Sequence, residues 1–585
     1  MYIEKMSSPK ELKKLSLDEC RVLAREIREA LLNKAALRGG HLASNLGIVE
    51  ATIAMHYVFD SPKDKIVFDV SHQCYTHKIL TGRKAGFLNE ENYNDVNGYT
   101  NPDESEHDHF RVGHTATSIS LACGLAKARD INGGNENIIA VIGDGALSGG
   151  EAFEGLDFGG SDIDGNLIVI FNDNQMSIAE DHGGIYKNLA ELRETEGKAS
   201  DNLFKSFGYD YYFVKDGNDV EALVESMNKV KDIDHPVAIH ICTVKGKGYD
   251  YSEKNKESTH WVRPFDIETG EEKNPFMGER YDRVVRDYLI EKMKSDPKVV
   301  TMIAAVPDAL NFTEEHRKIA GKQFIDVGIA EEHAVSMAAG LAKNGCKPVF
   351  ATMATFFQRT YDQISQELCI NNAAATLVVV NASVYATNDV THIGIFDIPM
   401  MSNIPNLVYL APTNKQEYLA MLDWAIDQNE YPVAVRAPRN GVFYTMDEVD
   451  TDYSKLNTFK TVIRGDKIAI LALGDFFQMG EELIEEIDKR FGIKATLINP
   501  RYITGIDENC LQNLKDNHDI VVTLEDGVLE GGWGQKVAGF YGPSDVKVLI
   551  YGLKKEFLDR YNVAQVMERN RLRVDLIIED LADLL

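Results

Sequence analysis

Hydrophobic runs of membrane-spanning length are missing from this chain of 585 residues. No apolar run approaches the roughly 18 residues that a transmembrane helix requires. Residues 1–5 also lack the apolar centre of a signal peptide. We therefore expect a protein that neither spans nor binds a membrane.

Paired cysteines are missing as well. The seven cysteines are scattered along the chain, are odd in number and form no C-x-x-C motif. This pattern is typical of reduced thiols and not of a disulfide framework. It predicts a cytoplasmic location.

Basic residues are in deficit: the chain has 62 lysines and arginines but 91 aspartates and glutamates, so its net charge is −29. An acidic surplus of this size argues against nucleic-acid partners and anionic membranes. It does not exclude small anionic substrates, since a phosphate site needs only a few local arginines, lysines or backbone N–H groups.

Strand-like and helix-like patterns alternate along the chain, which favours mostly parallel sheets with helices on both faces. The chain is too long for one core, and polar stretches at 266–277 and 446–457 are typical of linkers. We expect three α/β domains, at 1–270, 278–447 and 460–585. Apolar runs that predict buried strands lie at 65–70, 138–142, 167–171, 237–241, 299–303, 348–351, 375–380, 432–435, 467–472 and 521–524.

The most informative motif follows two neighbouring runs of the first domain. Asp144 stands in a Gly-Asp-Gly segment after one run, and Asn174 stands shortly after the next. A crossover helix fits between them, so both side chains are expected at the carboxyl edge of one parallel sheet, where ligands bind. Oxygen ligands of this kind suit Mg²⁺ or Ca²⁺ held together with phosphates. Asn172 and Asp173 are expected to shape the turn.

Each motif also has an ordinary structural explanation. Gly-Asp-Gly alone is common in turns, and His41, in a glycine-rich loop, is of a kind that is more often structural. The helix expected to begin near Ser118 could hold a phosphate on its first N–H groups or simply be capped. Glu331, between a strand and a helix, could only stabilise the helix dipole. Glu525 and Asp526 are expected in a solvated turn.

Together the motifs resemble the 1-deoxy-D-xylulose-5-phosphate synthase family, whose members are transketolase-related enzymes that depend on thiamine diphosphate. The similarity covers nearly the whole chain, in the family's order: GGHLAS, DVSHQ-x-YTHKILTGR, VGHT-x-TS, GDG followed by NDNQMSI, IAEEHAV, TFFQR-x-YDQ and THIGIFD. The resemblance implies a transketolase-like fold with a diphosphate-binding, a pyrimidine-binding and a C-terminal domain. It also implies a homodimer with thiamine diphosphate and Mg²⁺ as cofactors.

The resemblance assigns the cofactor positions one by one. Asp144, the side chain of Asn174 and the backbone carbonyl of Met176 would hold the metal. Glu331 would bond N1′ of the aminopyrimidine ring, and Phe356 would stack on that ring. The remaining cofactor positions are His72, Gly113, His114, Gly145, Ala146 and Lys245.

Substrate positions are implied in the same way, with pyruvate as donor and D-glyceraldehyde 3-phosphate as acceptor. His41, His260 and His392 match histidines that line the reaction cavity, and imidazole suits proton transfer near neutral pH. With Glu331 they form the expected catalytic set. The residues expected to contact substrate are His41, Ser44, Arg359, His392 and Arg439, of which the two arginines would hold the acceptor's phosphate.

Four departures from the family pattern all concern substrate. Asn381 stands where the family has an arginine, Met353 where it has a tyrosine, and Asn388 where it has an acidic residue. The segment between Met176 and Phe204 is shorter than the family's mobile loop. None of these changes touches a metal or cofactor position.

The resemblance therefore implies a 1-deoxy-D-xylulose-5-phosphate synthase activity, which serves isoprenoid and thiamine biosynthesis. A related transketolase or carboligase with a different aldehyde acceptor or a ketose donor is the first alternative, because the departures concern substrate positions. A non-catalytic regulatory protein that keeps the fold is the lesser alternative.

Overall fold

The computed structural model describes residues 1–585, which form two compact units. The first unit contains residues 1–277 with 328–330, and the second contains residues 278–327 with 331–585. None of the helices combines the length and the hydrophobicity needed to cross a bilayer.

The first unit is built on a five-stranded sheet in which all neighbouring strands are parallel. Successive residues of one strand enter different cores: Ile139 and Val141 join one cluster, whereas Ile138 and Ala140 join the other. Burial on both faces explains the unbroken apolar runs. In sheet order the strands are Lys65–Phe68, Ile138–Gly143, Leu167–Asp173, Pro236–Cys242 and Asp210–Val214.

Helices cover this sheet, and a short antiparallel pair of Gly40–His41 with Trp261–Val262 stands apart from it. The longest helix, Leu17–Arg38, begins with a capping box between Ser16 and Glu19. The helices are Pro9–Leu12, Leu17–Arg38, Ala43–Gly47, Val49–Val58, Tyr75–Lys78, Ala85–Leu88, Ser118–Asn132, Gly150–Ser161, Ile185–Glu194, Leu203–Ser206, Val220–Val230 and Asp250–Lys254.

The second unit contains two sheets. The six-stranded sheet is wholly parallel, in the order Val408–Leu410, Val433–Arg436, Thr376–Val380, Lys347–Met353, Val299–Ile303 and Phe324–Asp326. The five-stranded sheet has the order Lys460–Ile463, Thr496–Asn499, Lys467–Ala472, His518–Val528 and Lys547–Leu553, and only its first strand is antiparallel to its neighbour.

One apolar core joins these two sheets, since Leu377 and Val379 of the first share a cluster with Leu471 and Val521 of the second. Separate cores lie on the opposite faces. The helices are Tyr281–Ser295, Glu314–Ala320, Glu331–Lys343, Tyr361–Gln363, Asp397–Met401, Lys415–Asp427, Phe477–Phe491, Glu508–Leu514, Trp533–Tyr541, Val563–Arg569 and Val574–Ala582. The expected fold class, three mostly parallel sheets with helices on both faces, is confirmed.

The expected solvated turn at Glu525 and Asp526 is wrong. Both residues lie inside the strand His518–Val528, and both are fully buried. Asp526 forms an ion pair of 2.6 Å with Arg436 of the other sheet. Glu525 accepts the first two N–H groups of the helix Trp533–Tyr541 at 2.9 and 2.8 Å. A remote arginine and the start of the next helix make burial of these carboxylates possible.

Candidate active site

Asp144 follows directly on the strand Ile138–Gly143 and is 1% exposed. Its carboxylate accepts the backbone N–H groups of Gly145 at 3.0 Å and of Asn174 at 2.7 Å, and also that of Gln175. The Oδ1 atom of Asn174 is shielded from solvent and has no hydrogen-bond partner. Two oxygen-bearing side chains from adjacent strand ends are thus held together, one of them with an unused buried acceptor.

Acidic groups are crowded around this point. Burial raises the pKa of Asp144 well above its usual range, and the Asp181 and Asp173 carboxylates raise it further. Burial likewise raises the pKa of Asp181 to about 7. A divalent cation would relieve this repulsion and would satisfy the unused oxygen of Asn174. The residues present therefore fit a metal ion.

A buried lysine lies beside the acidic cluster. Lys245 is 2% exposed, its Nζ donates to the carbonyl of Ser177, and burial lowers its pKa to about 8.

A Cβ on Gly145 would lie 2.5 Å from the Cβ of Ser177, so only glycine permits this close approach. Ala146 follows in the same buried turn, and Met176 lies in a turn closed by an antiparallel bridge to Glu180.

Three of the expected histidines cluster in the first unit. The ring of His41 lies 4.9 Å from that of His72 and 5.5 Å from that of His260, and the last two are 5.2 Å apart. The Ser44 hydroxyl is 3.4 Å from His260 Nδ1. Burial lowers the pKa of His260 well below its usual range, and the nearby Lys245 ammonium lowers it further. The neutral imidazole can donate a hydrogen bond from one ring nitrogen and accept one at the other.

Two residues of this cluster were not expected from the sequence. Buried Asn45 donates from Nδ2 to the backbone carbonyls of His41 at 2.9 Å and His72 at 2.8 Å. It also accepts the backbone N–H of Tyr75 at 3.0 Å. Tyr99 places its ring 5.7 Å from that of His41. Asn45 directly follows the GGHLAS segment, and this position was its only signal in the sequence.

The start of the helix Ser118–Asn132 is bonded by an aspartate distant in sequence, because its N-cap residue Thr117 makes no side-chain capping bond. Asp69 accepts the backbone N–H groups of Ala116 at 2.8 Å and Ser118 at 2.9 Å. These two N–H groups are therefore already bonded within the protein. Gly113 and His114 lie in the loop that precedes the helix.

The expected turn role of Asn172 and Asp173 is wrong. Both close the strand Leu167–Asp173 and form bonds across the sheet. Asn172 Oδ1 accepts the Thr243 hydroxyl at 2.6 Å, and Asp173 Oδ2 bonds His240 Nε2 at 2.8 Å. The strand extends further than the apolar run because its polar end pairs with the neighbouring strand.

Glu331 begins the helix Glu331–Lys343 in the second unit and is 3% exposed. Burial raises the pKa of its carboxyl to about 7, although the Arg359 guanidinium acts in the opposite direction. Its Oε2 atom is buried and has no hydrogen-bond partner. A carboxyl that exchanges a proton near neutral pH, with a free oxygen, fits a nitrogen heterocycle that needs a proton donor or acceptor.

Phe356 and His392 lie together in the same unit, with ring centroids 5.6 Å apart at 80°. His392 Nδ1 lies 2.8 Å from the Thr391 hydroxyl, and burial lowers the pKa of this imidazole to about 4. An aromatic face beside a neutral histidine suits a planar ring with a reacting group next to it.

Arg359 and Arg439 are fixed in different ways. Arg359 lies in the short helix Phe356–Thr360, close enough to Glu331 to influence its pKa. Arg439 is exposed, but its backbone N–H is held by both oxygens of Asp475, at 3.0 and 2.8 Å. Asp475 is buried and was not expected from the sequence.

Three of the four family departures lie in the second unit, two of them at adjacent strand ends. Met353 ends the strand Lys347–Met353 and pairs with Val380, after which Asn381 adopts a left-handed φ of 53°. Asn388 is exposed, and its backbone carbonyl accepts the N–H of Arg560 at 2.6 Å. The changes are therefore neighbours in the fold or belong to the loop that carries His392.

Family models match three stretches of the chain. Residues 3–200 and 194–243 match the model described as 1-deoxy-D-xylulose-5-phosphate synthase. Residues 280–443 match the pyrimidine binding domain of transketolase, and residues 458–565 match its C-terminal domain.

Curated relatives match over the full length. A 1-deoxy-D-xylulose-5-phosphate synthase from Alkaliphilus oremlandii is 39% identical, with 100% of both chains covered. A protein of the same name from Clostridium tetani is 36% identical, and the match covers 98% of both chains. Another from Caldanaerobacter subterraneus is 38% identical, and the match covers 97% of this chain and 96% of that one. Among solved structures, a transketolase from Campylobacter jejuni is 15% identical with a TM-score of 0.45, covering 97% of this chain and 100% of that one.

Proposed function

The chain belongs to the 1-deoxy-D-xylulose-5-phosphate synthase family, and from this premise we propose that it joins pyruvate to D-glyceraldehyde 3-phosphate. Pyruvate loses CO₂, and its remaining two-carbon unit is added to the aldehyde to give 1-deoxy-D-xylulose 5-phosphate. The enzyme is a transferase that uses thiamine diphosphate and Mg²⁺. Its product serves isoprenoid and thiamine biosynthesis.

The observation that best supports this proposal is the burial of the Glu331 carboxyl and its raised pKa. A carboxyl with one unpartnered buried oxygen and a pKa raised to about 7 is costly unless a ligand uses it. When bound, thiamine diphosphate supplies the carbon nucleophile and the electron sink that decarboxylation requires. Glu331 would hold and move the proton at N1′ of the aminopyrimidine, and Phe356 would stack on the same ring.

Residues of the first unit would hold the metal and the diphosphate. Asp144, the Oδ1 atom of Asn174 and the carbonyl of Met176 would hold Mg²⁺. Lys245 would neutralise the diphosphate, because its ammonium is buried and lies among the acidic groups that the metal faces. The other residues proposed to contact the cofactor are His72, Gly113, His114, Gly145 and Ala146.

The histidines would handle substrate protons. Burial lowers the pKa of His260 and of His392, so both imidazoles are neutral near pH 7, and His41 lies beside His260. A neutral imidazole donates a hydrogen bond from one ring nitrogen and accepts one at the other, so these residues can relay protons and bind polar groups of the substrate. Ser44 would orient substrate beside His260, and Arg359 and Arg439 would bind the acceptor's phosphate.

The test is pyruvate consumption with thiamine diphosphate and Mg²⁺, with and without D-glyceraldehyde 3-phosphate, with the product identified by mass. A deoxypentulose phosphate that forms only with the acceptor is expected. Glu331→Gln should abolish it, whereas Glu332→Gln, one residue further along the same helix, should not. Undiminished synthesis by Glu331→Gln would refute the proposed proton role.

A related carboligase with another aldehyde acceptor is the second candidate. Asn381, Met353 and Asn388 favour it, because all three replace family substrate residues near the loop that carries His392. Competition between D-glyceraldehyde 3-phosphate and a panel of other aldehydes in one reaction distinguishes the two. The acceptor with the highest kcat/KM identifies the activity.

We also propose the three domains 1–270, 278–447 and 460–585, a homodimer and a cytoplasmic location. Scattered, unpaired cysteines support that location. Light scattering should give twice the chain mass of 65.3 kDa, and a mass equal to one chain would contradict the dimer.

A further inference from the structure

Three potential metal ligands of different chemistry lie together at the ends of two adjacent strands of the first unit. Asp173 closes the strand Leu167–Asp173, and His240 and Cys242 close the strand Pro236–Cys242. One ligand atom from each side chain lies within 4.8 Å of the others. Asp173 Oδ2 is 2.8 Å from His240 Nε2, which is 4.0 Å from Cys242 Sγ.

An unused oxygen of the same cluster gives an independent indication of a ligand. Asp173 is 1% exposed, and its Oδ1 atom is buried without a hydrogen-bond partner. The other oxygen is shared by His240 and by Arg193. A buried carboxylate oxygen normally has a hydrogen-bond partner. The lack of one for Oδ1, beside an imidazole and a thiol, therefore requires an explanation.

We propose that Asp173, His240 and Cys242 form a second cation site, suited to a thiophilic divalent ion such as Zn²⁺. Carboxylate, imidazole and thiolate are the ligand types that Zn²⁺ accepts, and three protein ligands leave a fourth position for water. The site differs from the proposed Mg²⁺ site, whose ligands are all oxygen atoms. It does not depend on the proposed reaction.

Binding balances without any redox step. The thiol of Cys242 releases its proton to solvent as the sulfur–metal bond forms. His240 bonds the metal through Nε2, and its ring proton then resides on Nδ1. Tyr211, whose hydroxyl lies 2.7 Å from Nδ1, can accept that proton's hydrogen bond and orient the ring.

Arg193 is the competitor of the cation. Its guanidinium neutralises Asp173 in an ion pair and would repel a divalent ion. It lies on the helix Ile185–Glu194, whose Tyr186 hydroxyl donates to the backbone carbonyl of Asp144 at 3.1 Å. A cation at the second site would therefore act on the Asp144 region through this helix.

The experiment is a Co²⁺ titration of the protein saturated with Mg²⁺ and thiamine diphosphate, followed by absorbance. We expect one equivalent that gives a thiolate-to-Co²⁺ charge-transfer band, which an all-oxygen site cannot produce. Cys242→Ser should remove the band and weaken this binding at least about tenfold. Cys510→Ser is the matched control, because Cys510 is also only partly buried, and should leave the band unchanged.

Arg193→Gln provides a second, opposite test, since removing the competing guanidinium should tighten Co²⁺ binding. No charge-transfer band, a band that survives Cys242→Ser, or weaker binding by Arg193→Gln would overturn the proposal. None of these readouts requires catalytic activity, so failure of the site and failure of the proposed function are distinguishable.

Discussion

Replacing Glu331 by glutamine is expected to stabilise the cofactor-free protein above neutral pH while it abolishes synthesis. The carboxyl is 3% exposed, and burial raises its pKa from 4.5 to about 7. That difference corresponds to about 3 kcal/mol, because each pKa unit is worth about 1.36 kcal/mol. Glutamine resembles the protonated acid in size and polarity but carries no ionisation penalty.

The direction of the pH dependence follows from the raised pKa. The folded state binds this proton more tightly than the unfolded state, so the stability it contributes is complete below pH 4.5 and is lost as the pH rises through about 7. The glutamine variant avoids that loss. Its advantage should be about 3 kcal/mol at pH 8 and less than half of that at about pH 5.5.

Thermal unfolding of the cofactor-free proteins measures this advantage. For a domain of 150–250 residues, about 3 kcal/mol corresponds to a rise of roughly 6 to 12 °C in Tm. Glu332→Gln should leave Tm nearly unchanged at both pH values, since that side chain is only partly buried. A glutamine variant that is less stable than the wild type at pH 8, or whose advantage does not change with pH, would refute the reasoning.

Three further outcomes are expected. Asp144→Asn should weaken thiamine diphosphate binding in the presence of Mg²⁺ at least about tenfold by calorimetry, because the site loses its only charged metal ligand. Arg436→Met should cost about 3–5 kcal/mol in urea unfolding, because it leaves the buried carboxylates of Asp397 and Asp526 unpaired. Asn381→Arg should lower KM for D-glyceraldehyde 3-phosphate, since it restores the family's cationic group near the substrate.

Each of these changes has a matched control. Asp162→Asn alters an exposed aspartate and should not affect cofactor binding. Arg569→Met removes a surface ion pair with Glu556, which is worth at most about 1 kcal/mol. Asn372→Arg places an arginine at another left-handed position, with φ of 46°, and should leave KM unchanged. An equal effect of change and control would contradict the corresponding prediction.

Local patterns were enough to predict the sheets. The continuous apolar runs 138–142 and 167–171 became adjacent parallel strands, because strands buried on both faces have no polar side. The same reasoning placed Asp144 and Asn174 at one sheet edge, where the backbone N–H of Asn174 binds the Asp144 carboxylate. The position of Glu331 at a strand–helix junction was also readable, whereas its role came from the family resemblance.

Polar side chains at strand ends were predicted less well. Asp173, Glu525 and Asp526 were expected in turns, but they are buried in strands. A charged residue after an apolar run normally ends it, because an unpaired charge cannot be buried. Here Arg193 compensates the charge of Asp173, and Arg436 compensates that of Asp526. The local sequence pattern around an aspartate does not show that such a partner exists.

The sequence by itself therefore determined the class of fold, the family and the placement of Asp144 and Asn174 at one sheet edge. The tertiary structure alone decided which groups meet there: Asn45 holding the backbones of His41 and His72, and Cys242 beside Asp173. The physical reason is the separation in sequence over which each property is set. Side-chain alternation and strand ends are local properties of the backbone, whereas burial of a polar group depends on partners that only folding brings within hydrogen-bonding distance.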